Sequence, residues 1–334
     1  MKILVRAPNW IGDSILAVPA IHSLIQGDSE TEIWVAAKRW VKDLFLSYPF
    51  IKGVIPLPDR SDLNSLRRTA HELKEHGFQA GLMLTNSFGS ALQFAWARIP
   101  DRWGYAADGR RALLTRSVRR PAPEDTIHQV RYYLSLISGL GLEASEPVLS
   151  FPLEQKDIQE AEELLSAEGV SSRTPLILLN PGGYFGSAKR WPAARFSALA
   201  SLFQEQMQAQ IVIVGSKNEA SLAEAIAEPL ASSPVNLAGR TSLRQLAAVI
   251  HAADLCITND SGPMHLANAL GTPVLAIFGP TDPKATAPFQ EPSAYLHKPP
   301  ACWPCAYRDC PFDHRCMESI SPEEVFAVSQ RWLP

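Results

Sequence analysis

One rhythm constrains this chain more than any other feature. Short apolar runs alternate with segments of helical period, the alternation breaks off near residue 150, and then it begins again. In the first half, Ile3–Ala7, Glu32–Ala37, Gly53–Leu57 and Gln79–Thr85 read as strands. Gly12–Gln26, Trp40–Leu46 and Asp62–His76 between them carry apolar residues at helical spacing. After Pro147–Pro152 and the charged helix Leu153–Glu168, strands at Pro175–Asn180, Gln210–Gly215, Val235–Leu237, Asp254–Thr258 and Pro273–Phe278 alternate with helices at Ala193–Met207, Asn218–Glu228 and Leu243–His251. Strand–helix alternation of this kind predicts α/β domains with parallel, doubly wound sheets. Two such units predict Rossmann-like domains over 1–152 and 172–320, with ligands at the carboxyl ends of the strands and a deep cleft between the units. The last segment, 321–334, reads as a helix that packs back on the first domain.

Composition narrows the partners. The chain has 334 residues, 46% of them hydrophobic and 19% charged, and a formal charge of −3. No overall positive field draws it to nucleic acid. No apolar run approaches the ~18 residues of a membrane span, and the opening Lys2–Arg6 reads as a strand rather than a targeting segment.

Three loops carry the chemistry. In Thr258-Asn259-Asp260-Ser261-Gly262-Pro263-Met264-His265 a strand feeds a helix that Gly271 closes. Backbone N–H groups and the helix dipole at such a junction suit an anion, most often a phosphate. Asp260 or Ser261 could equally serve as an ordinary N-cap. In Asn180-Pro181-Gly182-Gly183-Tyr184-Phe185-Gly186-Ser187-Ala188-Lys189-Arg190-Trp191-Pro192, three glycines let backbone amides converge on an anion, and Lys189 adds a mobile cation. The plainer reading is a glycine-rich turn beside a solvated Lys-Arg pair. It is no Walker loop, because Gly-Lys-Ser/Thr is absent. The chain also has no Asp-x-Asp pair to hold a diphosphate through a metal.

The third loop, Asn9-Trp10-Ile11-Gly12-Asp13, follows the first strand. A dinucleotide fold would place three glycines there, and only Gly12 is present, so NAD binding is disfavoured. Asp13 is either a charge that complements the helix dipole or a general base that accepts a proton late in a transfer.

Two further clusters stand out. Arginines at 98, 102, 110, 111, 116, 119 and 120 are opposed only by Asp101 and Asp108. They form a solvated face or a surface for an acidic acceptor, since guanidinium groups bind phosphate and carboxylate in bidentate fashion. Four of the five cysteines lie at 302, 305, 310 and 316, near His314. They read as a structural metal knuckle or as reduced thiols in a tight loop, and no metal ligand is assigned.

These motifs, together with Phe278-Gly279-Pro280-Thr281-Asp282-Pro283 and Ala188-Lys189-Arg190-Trp191-Pro192, run in order along nearly the whole chain. The set resembles the heptosyltransferases that build the lipopolysaccharide inner core. The resemblance implies a GT-B fold with the acceptor on the first domain and the nucleotide-sugar donor on the second. It implies an inverting, metal-independent glycosyltransferase without a cofactor. The donor would be ADP-L-glycero-D-manno-heptose, and the acceptor a phosphorylated Kdo–lipid A carrying a first core heptose. Asp13 matches the base and Lys189 the lysine at the donor diphosphate. Gly182, Gly183, Asp260, Ser261, Gly262 and His265 match the donor loops, while Asn9, Trp10, Arg110 and Arg111 would face the acceptor. Tyr184 departs from the pattern, standing where such relatives often carry an acidic residue. The expected setting is the cytoplasmic face of the inner membrane, in peripheral contact, as a monomer. An earlier or later heptosyl transfer, a nucleotide-sugar binder without transfer activity and a metal-stapled scaffold remain the alternatives.

Overall fold

A computed structural model describes every residue except 27–29, 61, 122–126, 172, 184, 306 and 334. The chain divides into two units, Met1–Leu149 and Ser150–Pro334. In the first, six strands, β1 (Lys2–Arg6), β2 (Glu32–Lys38), β3 (Ile51–Leu57), β4 (Ala80–Met83), β5 (Asp101–Tyr105) and β6 (Arg116–Val118), form a parallel sheet in the order β3-β2-β1-β4-β5-β6. In the second, β7 (Leu176–Asn180), β8 (Gln210–Ile213), β9 (Val235–Asn236), β10 (Leu255–Asn259), β11 (Val274–Phe278) and β12 (Ser293–His297) form another, in the order β12-β11-β10-β7-β8-β9. Each unit thus repeats one winding. Its first strand lies inside, the next two add on one side, and the last three add on the other. The winding reverses between β1 and β4 and between β7 and β10, and the loops after such strands are where doubly wound sheets bind ligands.

The inner strands are buried on both faces, as parallel strands between helical layers must be. All five residues of β7, β10 and β11 are buried. Leu4, Ala36, Met83, Phe78 and Phe94 centre the core of the first unit, and Ile177, Leu179, Phe196, Phe203, Ile257 and Ile277 that of the second.

Two expectations change. The C-terminal helix Pro322–Ser329 joins the second unit's core, where Phe326 meets Phe203 edge to face at a centroid distance of 5.0 Å. Full burial of such a ring stabilises by about 1.5–3 kcal/mol, and the aromatic pairing adds about 0.5–1.5 kcal/mol. That is why the helix Pro322–Ser329 is part of the second unit's core. The helix Gln155–Ala167, read as a passage between domains, also belongs to the second unit, where Arg244 Nε donates to Asp157 Oδ1 at 2.9 Å.

The arginine-rich stretch supplies two strands, with Arg98, Arg111, Arg116 and Arg119 exposed. In Asp101–Tyr105 the buried Trp103 and Tyr105 alternate with Arg102, a strand pattern too short and too charged to stand out. Its arginines staple their own edge. Arg102 donates to the carbonyls of Leu113 (Nε, 2.7 Å) and Ile99 (Nη1, 2.6 Å), and Arg116 to that of Leu140.

Candidate active site

In the second unit, β7 and β10 end side by side, and each ends on a buried asparagine. Asn259 Oδ1 accepts from the backbone N–H of Trp191 (3.0 Å), and its Nδ2 donates to the carbonyls of Pro181 (2.7 Å) and Gly182 (3.1 Å). One amide therefore fixes both ends of the 181–191 loop. Asn180 Nδ2 donates to Thr258 Oγ1 and Ser261 Oγ, both at 2.8 Å.

That last bond decides how the helix Gly262–Leu270 begins. Ser261 is its N-cap residue, yet the side chain makes no cap hydrogen bond because its hydroxyl is turned toward Asn180 and Thr258. Simple capping by Ser261 is thereby ruled out, and the amino end of the helix keeps its character as an anion site.

Lys189 and Asp260 meet beside it. Lys189 Nζ donates to Asp260 Oδ2 at 2.6 Å, and Thr281 Oγ1 donates to the same oxygen at 2.7 Å. The side chains are 16% and 6% exposed, so this ion pair is largely sheltered from water. The lysine is thus a placed cation, also lying 5.3 Å from the centre of the Phe185 ring, and not half of a solvated pair. Asp260, expected among the donor-binding groups, serves here to hold the lysine. His265 is buried in the first turns of the same helix.

Glycines shape the loop where nothing larger fits. A Cβ on Gly182 would stand 2.3 Å from Glu219 Oε1, which accepts from the Gly183 N–H at 2.9 Å. Gly186 has φ +151°, and a Cβ there would stand 2.2 Å from the Arg308 carbonyl oxygen. Tyr184 lies outside the described residues.

In the first unit, the loop after β1 gathers Asn9, Trp10 and Asp13. Arg6 at the strand's end is buried, its Nη2 donating to Asn9 Oδ1 at 2.6 Å, and burial lowers its pKa to about 10. Trp40, following β2, donates from Nε1 to the Asn9 carbonyl at 2.8 Å. Its ring lies 6.4 Å from that of Trp10, and each tryptophan is 44% exposed. Lys38 Nζ is held by the carbonyls of Pro58 (2.5 Å) and Asp59 (3.0 Å). Desolvation, then the Arg6 charge, lowers its pKa. Asp13 sits half-buried in the first turn of the helix Ile11–His22. The buried Tyr133 phenol is pushed well above its ordinary range, first by desolvation and then by the Asp13 carboxylate.

The arginine assignments divide. Arg110 is wholly buried, donating to the carbonyls of Tyr105 (Nε, 2.9 Å) and Thr85, and burial lowers its pKa to about 10. A guanidinium enclosed in this way braces the turns that follow β4 and β5. Arg111 is exposed.

Sequence reasoning passed over Asn180, Asn259, Glu219, Lys38, Trp40 and Tyr133. For the two asparagines a signal existed, because an amide that closes an otherwise apolar strand must find partners. Thr281 stood inside a quoted motif, but its partner is distant in sequence.

Two units with the same doubly wound topology, each a six-stranded parallel sheet, define a GT-B type α/β fold. The profile of glycosyltransferase family 9 (heptosyltransferase) matches residues 66–315. The lipopolysaccharide heptosyltransferase 2 of Salmonella typhimurium is 34% identical over 301 residues, covering 86% of this chain and 85% of its own. The lipooligosaccharide heptosyltransferase 2 of Campylobacter jejuni serotype O:2 is 29% identical over 348 aligned positions, covering 100% of this chain and 98% of its own. The solved structure of Escherichia coli ADP-heptose lps heptosyltransferase II superposes with a TM-score of 0.84 at 27% identity, covering 99% of this chain and 98% of that one. The chain belongs to glycosyltransferase family 9, the heptosyltransferases.

Proposed function

We propose that this enzyme transfers L-glycero-D-manno-heptose from ADP-heptose to the first heptose of the lipopolysaccharide inner core, with inversion at the anomeric carbon. Asp13 takes the proton of the acceptor hydroxyl as that oxygen bonds to the anomeric carbon. The bond from that carbon to the diphosphate oxygen breaks, and ADP departs with its electron pair. Lys189 and the amino end of the helix Gly262–Leu270 stabilise the negative charge that develops on the leaving diphosphate, as preorganised donors do at other oxyanion sites. Gly182 and Gly183 let the loop backbone approach the donor. Asp260 and Thr281 hold Lys189 in place. Asn9, Trp10 and Arg111 face the acceptor, with the exposed Trp10–Trp40 pair offering apolar faces to a sugar ring.

The observation that carries this reading is the sheltered Lys189–Asp260–Thr281 cluster beside a helix whose N-cap hydroxyl is turned away. The second-step acceptor is supported by the relatives named as heptosyltransferase 2. Among the described residues no helix is long and apolar enough to cross a membrane. We extend the proposal to a monomer that meets its acceptor by peripheral contact at the cytoplasmic face of the inner membrane.

The test is transfer from ADP-heptose to acceptors carrying zero or one core heptose. Turnover of the one-heptose acceptor alone is expected. Turnover of the heptose-free acceptor alone would move the assignment to the first step, and ADP-heptose binding without transfer to either would overturn it.

A further inference from the structure

The cysteine-rich segment has no part in the reading above. All four of its cysteines are unbridged, and Cys302, Cys305, Cys310 and Cys316 line one cavity of about 20 Å³ together with His314. That volume suits a single occupant no larger than a water molecule. The fifth cysteine, Cys256, is wholly buried in β10, and burial pushes its thiol pKa up to about 12.

The loops that touch this segment give the cavity its interest. The Ala188 N–H donates to the Arg308 carbonyl (2.9 Å), and Ser187 Oγ donates to Asp309 Oδ1 (2.6 Å). His314 Nε2 lies 2.9 Å from the Ala188 carbonyl. A carbonyl can only accept, so that nitrogen carries the proton. On the other side, the Cys305 N–H donates to the Pro280 carbonyl (3.2 Å), and Trp303 Nε1 to that of Thr281 (3.1 Å). The segment is therefore bonded to both loops whose side chains, Lys189 and Thr281, converge on Asp260.

We propose that Cys302, Cys305, Cys310 and Cys316 bind one thiophilic divalent metal ion, zinc or ferrous iron, and that the ion braces the loops carrying Lys189 and Thr281. The spacing Cys-x2-Cys-x4-Cys-x5-Cys suits a closed tetrahedral thiolate site, and soft thiolates select such metals. Among the described residues no three Cys, His, Asp or Glu groups already stand as a ligand set. On this proposal the ion draws the thiols together as it binds, as small metal sites couple binding to folding. Each thiol gives up its proton to solvent, and four thiolates around a divalent cation carry a net charge of −2, with Arg315 at the same cavity.

The test uses the untagged full-length protein, purified under reducing conditions and analysed for metals by mass spectrometry. About one zinc or iron per chain is expected. The four thiols should resist alkylation until a chelator is added, and cobalt(II) reconstitution should give the spectrum of a tetrahedral thiolate complex. Negligible metal after zinc and iron reconstitution, or four thiols equally reactive with and without chelator, overturns the site. Because Cys302→Ser/Cys305→Ser could fail to fold, chelation and reconstitution of the unmodified chain carry the decision. Bracing is read separately, as slower hydrogen exchange at residues 186–190 and 280–282 in the metal-loaded protein. Equal exchange with and without metal refutes the bracing, whatever sugar the enzyme transfers.

Discussion

Replacing Lys189 by methionine keeps most of the side chain's bulk and removes its charge. Asp260, with a side chain only 6% exposed, would then keep Thr281 as its remaining side-chain partner of the two that meet its Oδ2. The gross attraction of a close pair is about 5 kcal/mol at an effective dielectric of about 20. Stripping one partner from a buried pair costs about 3–5 kcal/mol, because the other charge stays desolvated. For a domain of this size that lowers Tm by about 6–20 °C. The double variant Lys189→Met/Asp260→Asn removes both charges and should regain most of the loss, since an uncharged replacement of a buried pair is often neutral. ADP affinity should behave differently. A hydrogen bond from an ammonium to a phosphate is worth about 1.5–3 kcal/mol, so both variants lacking Lys189 should bind ADP about 10- to 100-fold more weakly. Scanning fluorimetry and titration calorimetry read the two quantities independently. A double variant that melts as low as Lys189→Met, or a Lys189→Met protein that binds ADP as tightly as the parent, would refute the reasoning.

Four other substitutions test separate links. Asp13→Asn should lower turnover by about 10²- to 10⁴-fold while leaving the ADP Kd unchanged, and turnover near that of the parent would remove Asp13 as the base. Arg110→Met should cost about 2–5 kcal/mol in urea denaturation, because it strips buried carbonyls of their donor. Arg111→Ala should stay within about 0.5 kcal/mol and raise only the acceptor KM, so equal stability losses would erase the distinction. Arg244 holds the Asp157 carboxyl below its ordinary range, chiefly by a direct hydrogen bond. A depressed carboxyl contributes stability that is complete above its unfolded pKa of about 3.9 and disappears as pH falls through the lowered folded value. Asp157→Asn should flatten that acid limb in denaturation curves taken below about pH 4, and an unchanged limb would deny the pair its role.

The inner strands were legible because a strand covered on both faces must be continuously apolar, as Leu176–Leu179 and Val274–Phe278 are. The last two strands of the first sheet were not. Asp101–Tyr105 and the edge strand Arg116–Val118 carry charge because Arg102 and Arg116 spend their guanidinium groups on carbonyls of adjoining turns, so both read like a basic loop. The burial of Arg110 was hidden for the same reason, since nothing local tells a guanidinium that meets solvent from one that fills a gap between strand ends. The donor loops were legible as glycine, lysine and helix-start residues, because backbone access and charge are local properties. What they do with one another was not. Whether Asp260 meets a ligand or holds Lys189 depends on Thr281, 21 residues further on, and on Asn180 drawing Ser261 away from the cap.

The two units share one winding and differ at the point where it reverses. At the β7–β10 junction Asn180, Ser261, Asn259, Asp260, Thr281 and Lys189 are each committed to a partner within the protein. Asn259 fixes the loop ends, Asn180 turns Ser261, and Asp260 and Thr281 hold Lys189. A ligand entering there meets donors that need not move, which is the condition for stabilising a charge that exists only in the transition state. At the end of β1 the polar groups are fixed but the aromatic ones are not enclosed. Asn9 is clamped by Arg6 and Trp40, while Trp10 and Trp40 are themselves exposed. Such a surface suits a broad, apolar-faced ring whose orientation is set by one or two hydrogen bonds. On the proposed reading, an enzyme that accepts a large glycolipid yet releases a small diphosphate gains from this division: a rigid grip for the developing charge, and an open platform for the acceptor.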